Sequence, residues 1–298
     1  MIYTVTLNPA VDYNIRLNSE IKNGINLPAE ENIHFGGKGI NVAVILNRLN
    51  VPCVATGFIA GFTGKAILSN LMLEGIKTDF IEVDGFTRIN VKIKGEPETE
   101  INGSGPFINE QSLMALINKL KTLNENDIVV LSGSLPSNLK PDTYKQIISE
   151  LNKNNVKCCL DTSGEALKQA ISEKPFLIKP NLQELSFLLG KKLTVEKEVI
   201  LGAKMLQKFG AQNVLVSMGS MGAIILTKDG SVFKREAKQG KVINTVGSGD
   251  SLLAGFLKGL ENGNISKALK LGCAAGSATA FSEGLATKSL ILEIYNDK

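Results

Sequence analysis

The stretch Asn244-Thr245-Val246-Gly247-Ser248-Gly249-Asp250-Ser251 decides how this chain is read. Leu252-Leu253-Ala254-Gly255-Phe256-Leu257 follows it and has the composition of a helix over 249–261. Gly247 and Gly249 reach backbone angles closed to other residues. They leave amide N–H groups bare at the positive end of a helix dipole, with Asp250 in the first turn. Two readings fit. Asp250 is a helix-capping residue in a glycine-rich turn, or a carboxylate beside an anion hole, suited to chemistry on an alcohol.

Working outward, strand-like and helix-like segments alternate. Strands are expected at 2–7, 52–59, 127–131, 156–160, 176–178 and 213–217. Helices are expected at 39–50, 63–75, 109–123, 141–154, 181–189, 195–209, 249–261 and 265–282. Val129-Val130-Leu131 and Val214-Leu215-Val216 are unbroken apolar runs, as in strands covered on both faces. The alternation predicts an α/β fold around a mostly parallel sheet with right-handed crossovers. Polar groups just beyond the carboxyl ends of such strands are where ligands bind. Two segments break the series. Val11–Leu17 alternates apolar and polar residues, and so do Ile89–Lys94 and Thr99–Asn102 across a turn at 95–97. These read as antiparallel strands with one wet face. Together they predict a small β-lid from 11–34 and 87–105, inserted in a main body of 1–10, 35–86 and 106–298.

The bulk numbers exclude other classes. The 298 residues carry a net charge of +4 with no basic block, so nucleic acid is not an expected partner. No run of 18 apolar residues predicts a membrane span. The start, Met1-Ile2-Tyr3-Thr4-Val5-Thr6-Leu7, reads as a first strand and not as a signal peptide. Cys53, Cys158, Cys159 and Cys273 have no zinc or redox spacing, which fits buried thiols and a cytoplasmic location. His34 is the only histidine and reads as a turn or surface residue, so a Ser-His-Asp apparatus is not expected. There is no P-loop, and Leu252 stands where a dinucleotide fingerprint needs its third glycine.

Six further motifs stand out, five of them near expected strand ends or helix starts. Asn8-Pro9-Ala10-Val11-Asp12 offers Asp12 to ligand hydroxyls or makes a turn. Gly36-Gly37-Lys38-Gly39-Ile40-Asn41 lets the backbone approach a ligand, with Lys38 and Asn41 beside it, or merely starts a helix. Arg88, Asn90 and Lys92 share one strand face by period two. That face holds a phosphate or is simply solvated. Lys179-Pro180-Asn181-Leu182-Gln183-Glu184 opens a helix. Asn181 and Glu184 form a capping box or hold magnesium through waters. Ser217-Met218-Gly219-Ser220-Met221-Gly222 is a hairpin turn or a loop under nucleotide phosphates. Ser132-Gly133-Ser134-Leu135-Pro136 leaves room at a strand end.

In this order, from Met1 to about Lys288, the motifs resemble the ribokinase-like PfkB family of carbohydrate kinases. Its two signatures correspond to Gly36–Asn41 and Val246–Asp250, with Ser248 where the family usually has Ala. The resemblance implies a three-layer α/β/α fold with a β-sheet lid. Thr6–Asp12 and Ser132–Pro136 are similar to the phosphosugar branch. Thr87–Lys92, Glu98–Pro106 and Ser277–Thr287 look most like its 1-phosphofructokinases. The implied activity is ATP-dependent phosphorylation of the C6 hydroxyl of fructose 1-phosphate, with Mg2+. A tagatose-6-phosphate or fructose-6-phosphate kinase is the alternative on the same scaffold, and a non-catalytic sugar-phosphate sensor the alternative of another class. By resemblance, Asp250 is the base, and the amides of Gly247, Ser248 and Gly249 form the anion hole. Asp12, Gly37, Asn41 and Asn90 face the sugar. Lys38, Arg88 and Lys92 are candidates for its phosphate. ATP lies along Lys179, Asn181, Ser217, Met218, Gly219, Ser220, Met221, Gly222 and Gly249, with adenine toward Ala275–Thr279, and the metal lies near Asn181 and Glu184. A homodimer through the lids is expected.

Overall fold

The computed structural model describes residues 1–297 apart from Ser19, Lys22, Glu96, Pro97, Thr194 and Asn262. The turn expected at 95–97 therefore lies partly outside the described residues. The strands, in chain order, are β1 (Ile2–Thr6), β2 (Ala10–Arg16), β3 (Glu30–Gly36), β4 (Cys53–Ala60), β5 (Lys77–Thr78), β6 (Ile81–Val83), β7 (Arg88–Lys94), β8 (Thr99–Asn102), β9 (Ile128–Ser132), β10 (Lys157–Asp161), β11 (Leu177–Ile178), β12 (Asn213–Ser217), β13 (Ala223–Leu226) and β14 (Val232–Arg235). The helices are α1 (Lys38–Arg48), α2 (Gly61–Leu73), α3 (Glu110–Leu120), α4 (Thr143–Asn152), α5 (Gly164–Ala170), α6 (Leu182–Leu189), α7 (Glu196–Phe209), α8 (Ser248–Leu260), α9 (Ile265–Ala280) and α10 (Lys288–Asn296).

A ten-stranded sheet runs β14-β13-β12-β11-β10-β9-β1-β4-β5, with β6 also paired to β4. Its pairs are parallel from β12 through to β5, and only β13 and β14 are antiparallel additions. Side chains alternate between its two faces. Val130 and Cys159 join one buried cluster, with residues of α1, α2, α8, α9 and α10. Val129, Leu131, Cys158 and Leu160 join the other, with residues of α3 to α7. This is the three-layer α/β/α arrangement. All four cysteines are free and buried.

The order of strands reverses at β1. The chain leaves β1 toward β4 and β5, then returns through β9 and moves the other way. Loops leaving neighbouring strands in opposite directions open a crevice at the carboxyl edge between them. The ends of β1, β9 and β10 therefore meet at one place. Close approach behind the crevice depends on small residues. At Gly57 (φ +133) a Cβ would fall on the Thr6 carbonyl, so β4 can lie beside β1 only without one. Helices α8 and α9 touch through Gly255 and Gly272, where a Cβ would come within 2.7 and 2.8 Å of the Leu271 and Leu252 carbonyls.

A second sheet, ordered β3-β2-β7-β8, projects from the carboxyl edge. Three of its strands cover the segments expected to be antiparallel, but β2 and β7 pair in parallel, with Asp12 opposite Asn90. The fourth strand, β3, carries His34 on the surface opposite Asp12. The sequence left β3, α5, α10, β14 and the short strands β5 and β6 unmarked. Elements of two to nine residues present too few turns or alternations to register a period.

Candidate active site

Three groups of polar residues line the crevice. The first lies on the small sheet. Asn90 Nδ2 donates to Asp12 Oδ1 at 2.8 Å, and Lys92 Nζ stands 3.7 Å from Asp12 Oδ2. Asn90 Oδ1 accepts from the Gly103 N–H at 3.2 Å, which ties the returning strand to the same cluster. Arg88 shares this face by register, and its Nε is buried without a protein partner. Burial lowers the pKa of its guanidinium while Asp12 works the other way. Arginine keeps its charge through such shifts, so Arg88 is a half-buried cation with unused donors.

The second group surrounds the glycine-rich turn. Gly247 has φ +80 and caps α8, which begins at Ser248. The Ser248 N–H turns back to the Thr245 carbonyl at 3.2 Å. Among the described residues the N–H groups of Gly247 and Gly249 have no protein acceptor. The expected set of three free amides is thus reduced to two, because the turn that enters the helix uses the middle one. The Ser248 hydroxyl is buried and also lacks a partner.

Asp250 is buried at 6% exposure, one residue beyond Gly249. Asn41 Nδ2, from α1, donates to its Oδ2 at 2.8 Å. The Asp250 pKa is pushed up to about 6, first by burial and then by the nearby charge of Asp161, against the opposing pull of Lys179, Asn41 and Lys38. Asp161 ends β10 and is fully buried. Its Oδ1 meets Lys38 Nζ at 2.9 Å and its Oδ2 meets Lys179 Nζ at 3.1 Å. Burial alone would raise the Asp161 pKa, yet the two ammonium groups hold it below the usual carboxylate range. Burial likewise opposes the charge on Lys38, and Asp161, Asp250 and Glu184 outweigh it, so the Lys38 pKa is raised. Lys179 Nζ also stands 3.3 Å from where a Gly249 Cβ would be, directly over the bare turn.

The third group is the mouth of the crevice. Asn181 caps α6: its Oδ1 accepts from the Glu184 N–H at 2.8 Å, and Glu184 Oε2 accepts from the Asn181 N–H at 2.9 Å. The capping box is therefore real, and it leaves Glu184 Oε1 free, 3.9 Å from Lys38 Nζ. Asn181 bridges to Ser217, whose N–H donates to the Pro180 carbonyl at 3.0 Å. This sets Lys179–Glu184 beside the Ser217–Gly222 turn. Gly219 (φ +59) and Gly222 (φ +88) shape that turn, Ser220 and Met221 are exposed on it, and Met218 is buried beneath. Ala275, Ala278 and Thr279 are fully buried, and the Ser277 hydroxyl accepts from the Lys238 N–H at 3.1 Å. Those helix residues form the floor under the 238–244 segment.

The groups are contiguous. A Cβ on Gly36 would lie 3.4 Å from Asp12 Oδ2, and one on Gly247 would lie 3.6 Å from Asn41 Nδ2. The residue that sequence reading missed is Asp161. Its signal was available: it follows the apolar run 156–160, the position where other strand ends were searched. Asn8 was quoted without a role. It reaches the Ser104 and Leu135 carbonyls, both at 3.4 Å, and stitches three loops under the crevice. Among the described residues no cluster of three or more His, Cys, Asp or Glu is placed to hold a metal. The oxygen donors Asn181 and Glu184 fit a hard cation that keeps most of its water.

A carboxylate with a raised pKa, two free amides and two lysines at one helix N-terminus suit transfer of an anionic group to an alcohol. The comparisons agree. The pfkB family carbohydrate kinase model matches residues 5–291. The chain is 45% identical to the 1-phosphofructokinase of Bacillus subtilis (strain 168), over 99% of this chain and 97% of that one. It is 40% identical to the D-tagatose-1-phosphate kinase of Bacillus licheniformis, over 96% and 94%. The crystal structure of Escherichia coli phosphofructokinase-2 in complex with substrates and products superposes with a TM-score of 0.91 at 30% identity, covering 99% of this chain and 98% of that one. With that family model matching nearly the whole chain and relatives of 40–45% identity along its length, the chain belongs to the pfkB family of carbohydrate kinases.

Proposed function

We propose that the chain is a 1-phosphofructokinase, which moves the γ-phosphoryl group of ATP to the C6 hydroxyl of fructose 1-phosphate and yields fructose 1,6-bisphosphate and ADP. The observation that carries this reading is Asp250: a buried carboxylate with its pKa near 6, held by Asn41, one residue from a free amide at a helix N-terminus. The two relatives named above supply the substrate class, a ketohexose 1-phosphate.

Asn41 holds Asp250 Oδ2 and leaves Oδ1 for the substrate hydroxyl. As the C6 oxygen bonds to phosphorus, its proton passes to Asp250. The bond from phosphorus to the bridging oxygen breaks, and its electron pair leaves with ADP. A positioned base is worth about 10²–10⁴-fold. The amides of Gly247 and Gly249 are aimed where charge gathers on the transferring group. ATP lies along Lys179, Asn181 and the Ser217–Gly222 turn. Asn181 and Glu184 would hold magnesium through waters, where it would offset part of the phosphate charge. Asp12 and Asn90 hold sugar hydroxyls beside the Gly37 backbone. The substrate's own phosphate goes to Arg88 and Lys92, the cations on the lid face.

The lid, 11–34 and 87–105, closes over the sugar and excludes water, which limits wasteful hydrolysis of ATP. Its other face is apolar: Val11, Tyr13, Ile15, Ile33, Phe35, Ile89, Val91, Ile93 and Ile101 alternate with the polar set by register. That face overhangs α2 around a groove of about 700 Å³ that Phe62 also lines. Ile33 and Ile101 are 56% and 60% exposed. Such a face wants covering, and a second copy of the lid fits it. No helix in the described residues is long and apolar enough to cross a membrane, and four free buried thiols suit a cytoplasmic location.

A side-by-side assay of ADP release with fructose 1-phosphate, tagatose 1-phosphate, fructose 6-phosphate and tagatose 6-phosphate tests the proposal. The expected result is the highest kcat/KM on fructose 1-phosphate. The 40% identical relative favours tagatose 1-phosphate as the second reading. A preference for either 6-phosphate would overturn the placement of the substrate phosphate on the lid face.

A further inference from the structure

We propose that Lys38 is a catalytic residue that grips the phosphoryl group in transit together with Lys179, and that Asp161 is the positioning residue holding the two ammonium groups in place. This rests on the kinase reading, but not on which sugar phosphate is used.

Cations are gathered here against the helix dipoles, held in place by the carboxylates of Asp161, Asp250 and Glu184. Lys38 is the first residue of α1, and no acidic residue stands in that first turn. A lysine at a helix N-terminus faces the positive end of the dipole. Lys179 stands over the Gly249 turn, where α8 begins. Two helix N-termini and two ammonium groups thus converge at one end of the crevice. With the free Gly247 and Gly249 amides beside them, these donors suit an anion with more than one charge, although Asp161 and Asp250 offset part of their charge.

Asp161 accounts for the arrangement. It spends one oxygen on each lysine, at 2.9 and 3.1 Å, with no exposure of its own. A buried ion pair contributes little to stability relative to an apolar replacement. A carboxylate shared between two lysines does, however, fix where both ammonium groups stand. Among the described residues no ion pair joins Lys38 to Asp250, although the Lys38 charge still pulls against the rise in the Asp250 pKa. The two lysines differ in access. The Lys179 side chain is 5% exposed and that of Lys38 is 37% exposed. Lys179 is a fixed wall, and the Lys38 ammonium faces the open crevice.

Position decides which phosphate Lys38 serves. The cations of the lid face gather around Asp12, at 3.7 Å for Lys92. Lys38 turns from that cluster toward Asp161 and Glu184, 3.9 Å away, at the end where Asp250 lies. Its anion is therefore the group being transferred and not the substrate's own phosphate. During transfer, negative charge spreads over the three equatorial oxygens and over the leaving oxygen. An ammonium group beside them gains most at the transition state, so its removal acts on kcat.

The test is steady-state kinetics on Lys38→Met, with whichever sugar phosphate the wild type turns over. If the wild type rejects fructose 1-phosphate, the substrate reading falls and this test still runs. Removing a preorganised donor to the transition state costs about 10²–10³-fold. A kcat loss of that order is expected, with KM for the sugar phosphate within about threefold. Lys38→Arg, which keeps the charge, is expected to recover part of it. Wild-type kcat in Lys38→Met, or a KM raised tenfold or more with kcat kept, would overturn the assignment. Asp161→Asn is expected to lower kcat, and to lower it by a smaller factor in the Lys38→Met background than in the wild type, since part of its effect passes through Lys38 and the rest through Lys179. Fully multiplicative losses would end the positioning role. Should Asp161→Asn fail to fold, Asp161→Glu keeps the charge and displaces it by one methylene, with the same comparison.

Discussion

At the scale of residues, the site turns on carboxylates given different roles by their surroundings. Asp161 stays ionised between two lysines, and its charge, added to burial, helps push Asp250 up to about 6. A base must be deprotonated to work, so kcat/KM is expected to fall as pH drops through about 6. The same shift bears on stability. A carboxylic acid whose folded pKa lies above its unfolded value of 3.8 costs stability once pH exceeds the folded value, and costs nothing below the unfolded one. A rise from 3.8 to about 6 corresponds to a penalty on the order of 3 kcal/mol at neutral pH. Asp250→Asn is therefore expected to abolish turnover, keep ATP binding by titration calorimetry, and melt at a higher temperature than wild type at pH 7.5 but not at pH 4. Turnover near the wild-type level in this variant would end the assignment of the base. Arg88 is the other decisive residue. Losing one charge-assisted contact costs about 1.5–3 kcal/mol, or one to two decades in binding. Arg88→Ala is expected to raise KM for fructose 1-phosphate by that factor and to leave KM for ATP nearly unchanged. Equal effects on both would remove it from the substrate phosphate.

At the scale of elements, the start of α6 is capped by Asn181 and Glu184, and the proposal gives the same two residues a second role. Sequence reading set a capping box against a metal site at Asn181 and Glu184, and the box is present with one carboxylate oxygen left over. The two roles separate in Glu184→Gln. Glutamine completes the same box, so the melting temperature should stay within the change expected from about 0.5 kcal/mol. The charge is lost, so the Mg2+ concentration for half-maximal activity should rise several-fold. An unchanged Mg2+ requirement would take Glu184 out of the metal site. The elements legible in the sequence were the long ones. Helices α8 and α9, of 13 and 16 residues, and the strands with unbroken apolar runs, β9 and β12, were placed to within two residues at each end. The lid was legible because its period of two broke a series of buried strands. Its fourth strand was not, because Glu30-Glu31-Asn32-Ile33-His34-Phe35-Gly36 alternates only at its far end.

At the scale of the whole molecule, the lid presents two faces with opposite demands. The polar face, with Asp12, Asn90 and Lys92, borders the crevice, and the apolar face is left partly bare at Ile33 and Ile101. If a second copy covers it, the wild type sediments as a dimer and Ile33→Glu, at an exposed position, sediments as a monomer that still melts cooperatively. A dimer that survives Ile33→Glu, or a wild type that is monomeric at micromolar concentration, counts against lid pairing. By itself the sequence determined the layer order and the family, and it marked the turns, Asn244–Ser251 among them, that line the crevice. Each of those rests on local pattern: apolar period, turn glycines, and polar residues just past strand ends. Tertiary structure alone decided the rest. It brought Asp161 from β10 between Lys38 and Lys179, 123 and 18 residues away in the chain. It also used the middle amide of the glycine turn and left the other two free. Such choices depend on which strand ends the reversal at β1 brings together, and distances across a crevice are not encoded in any one segment.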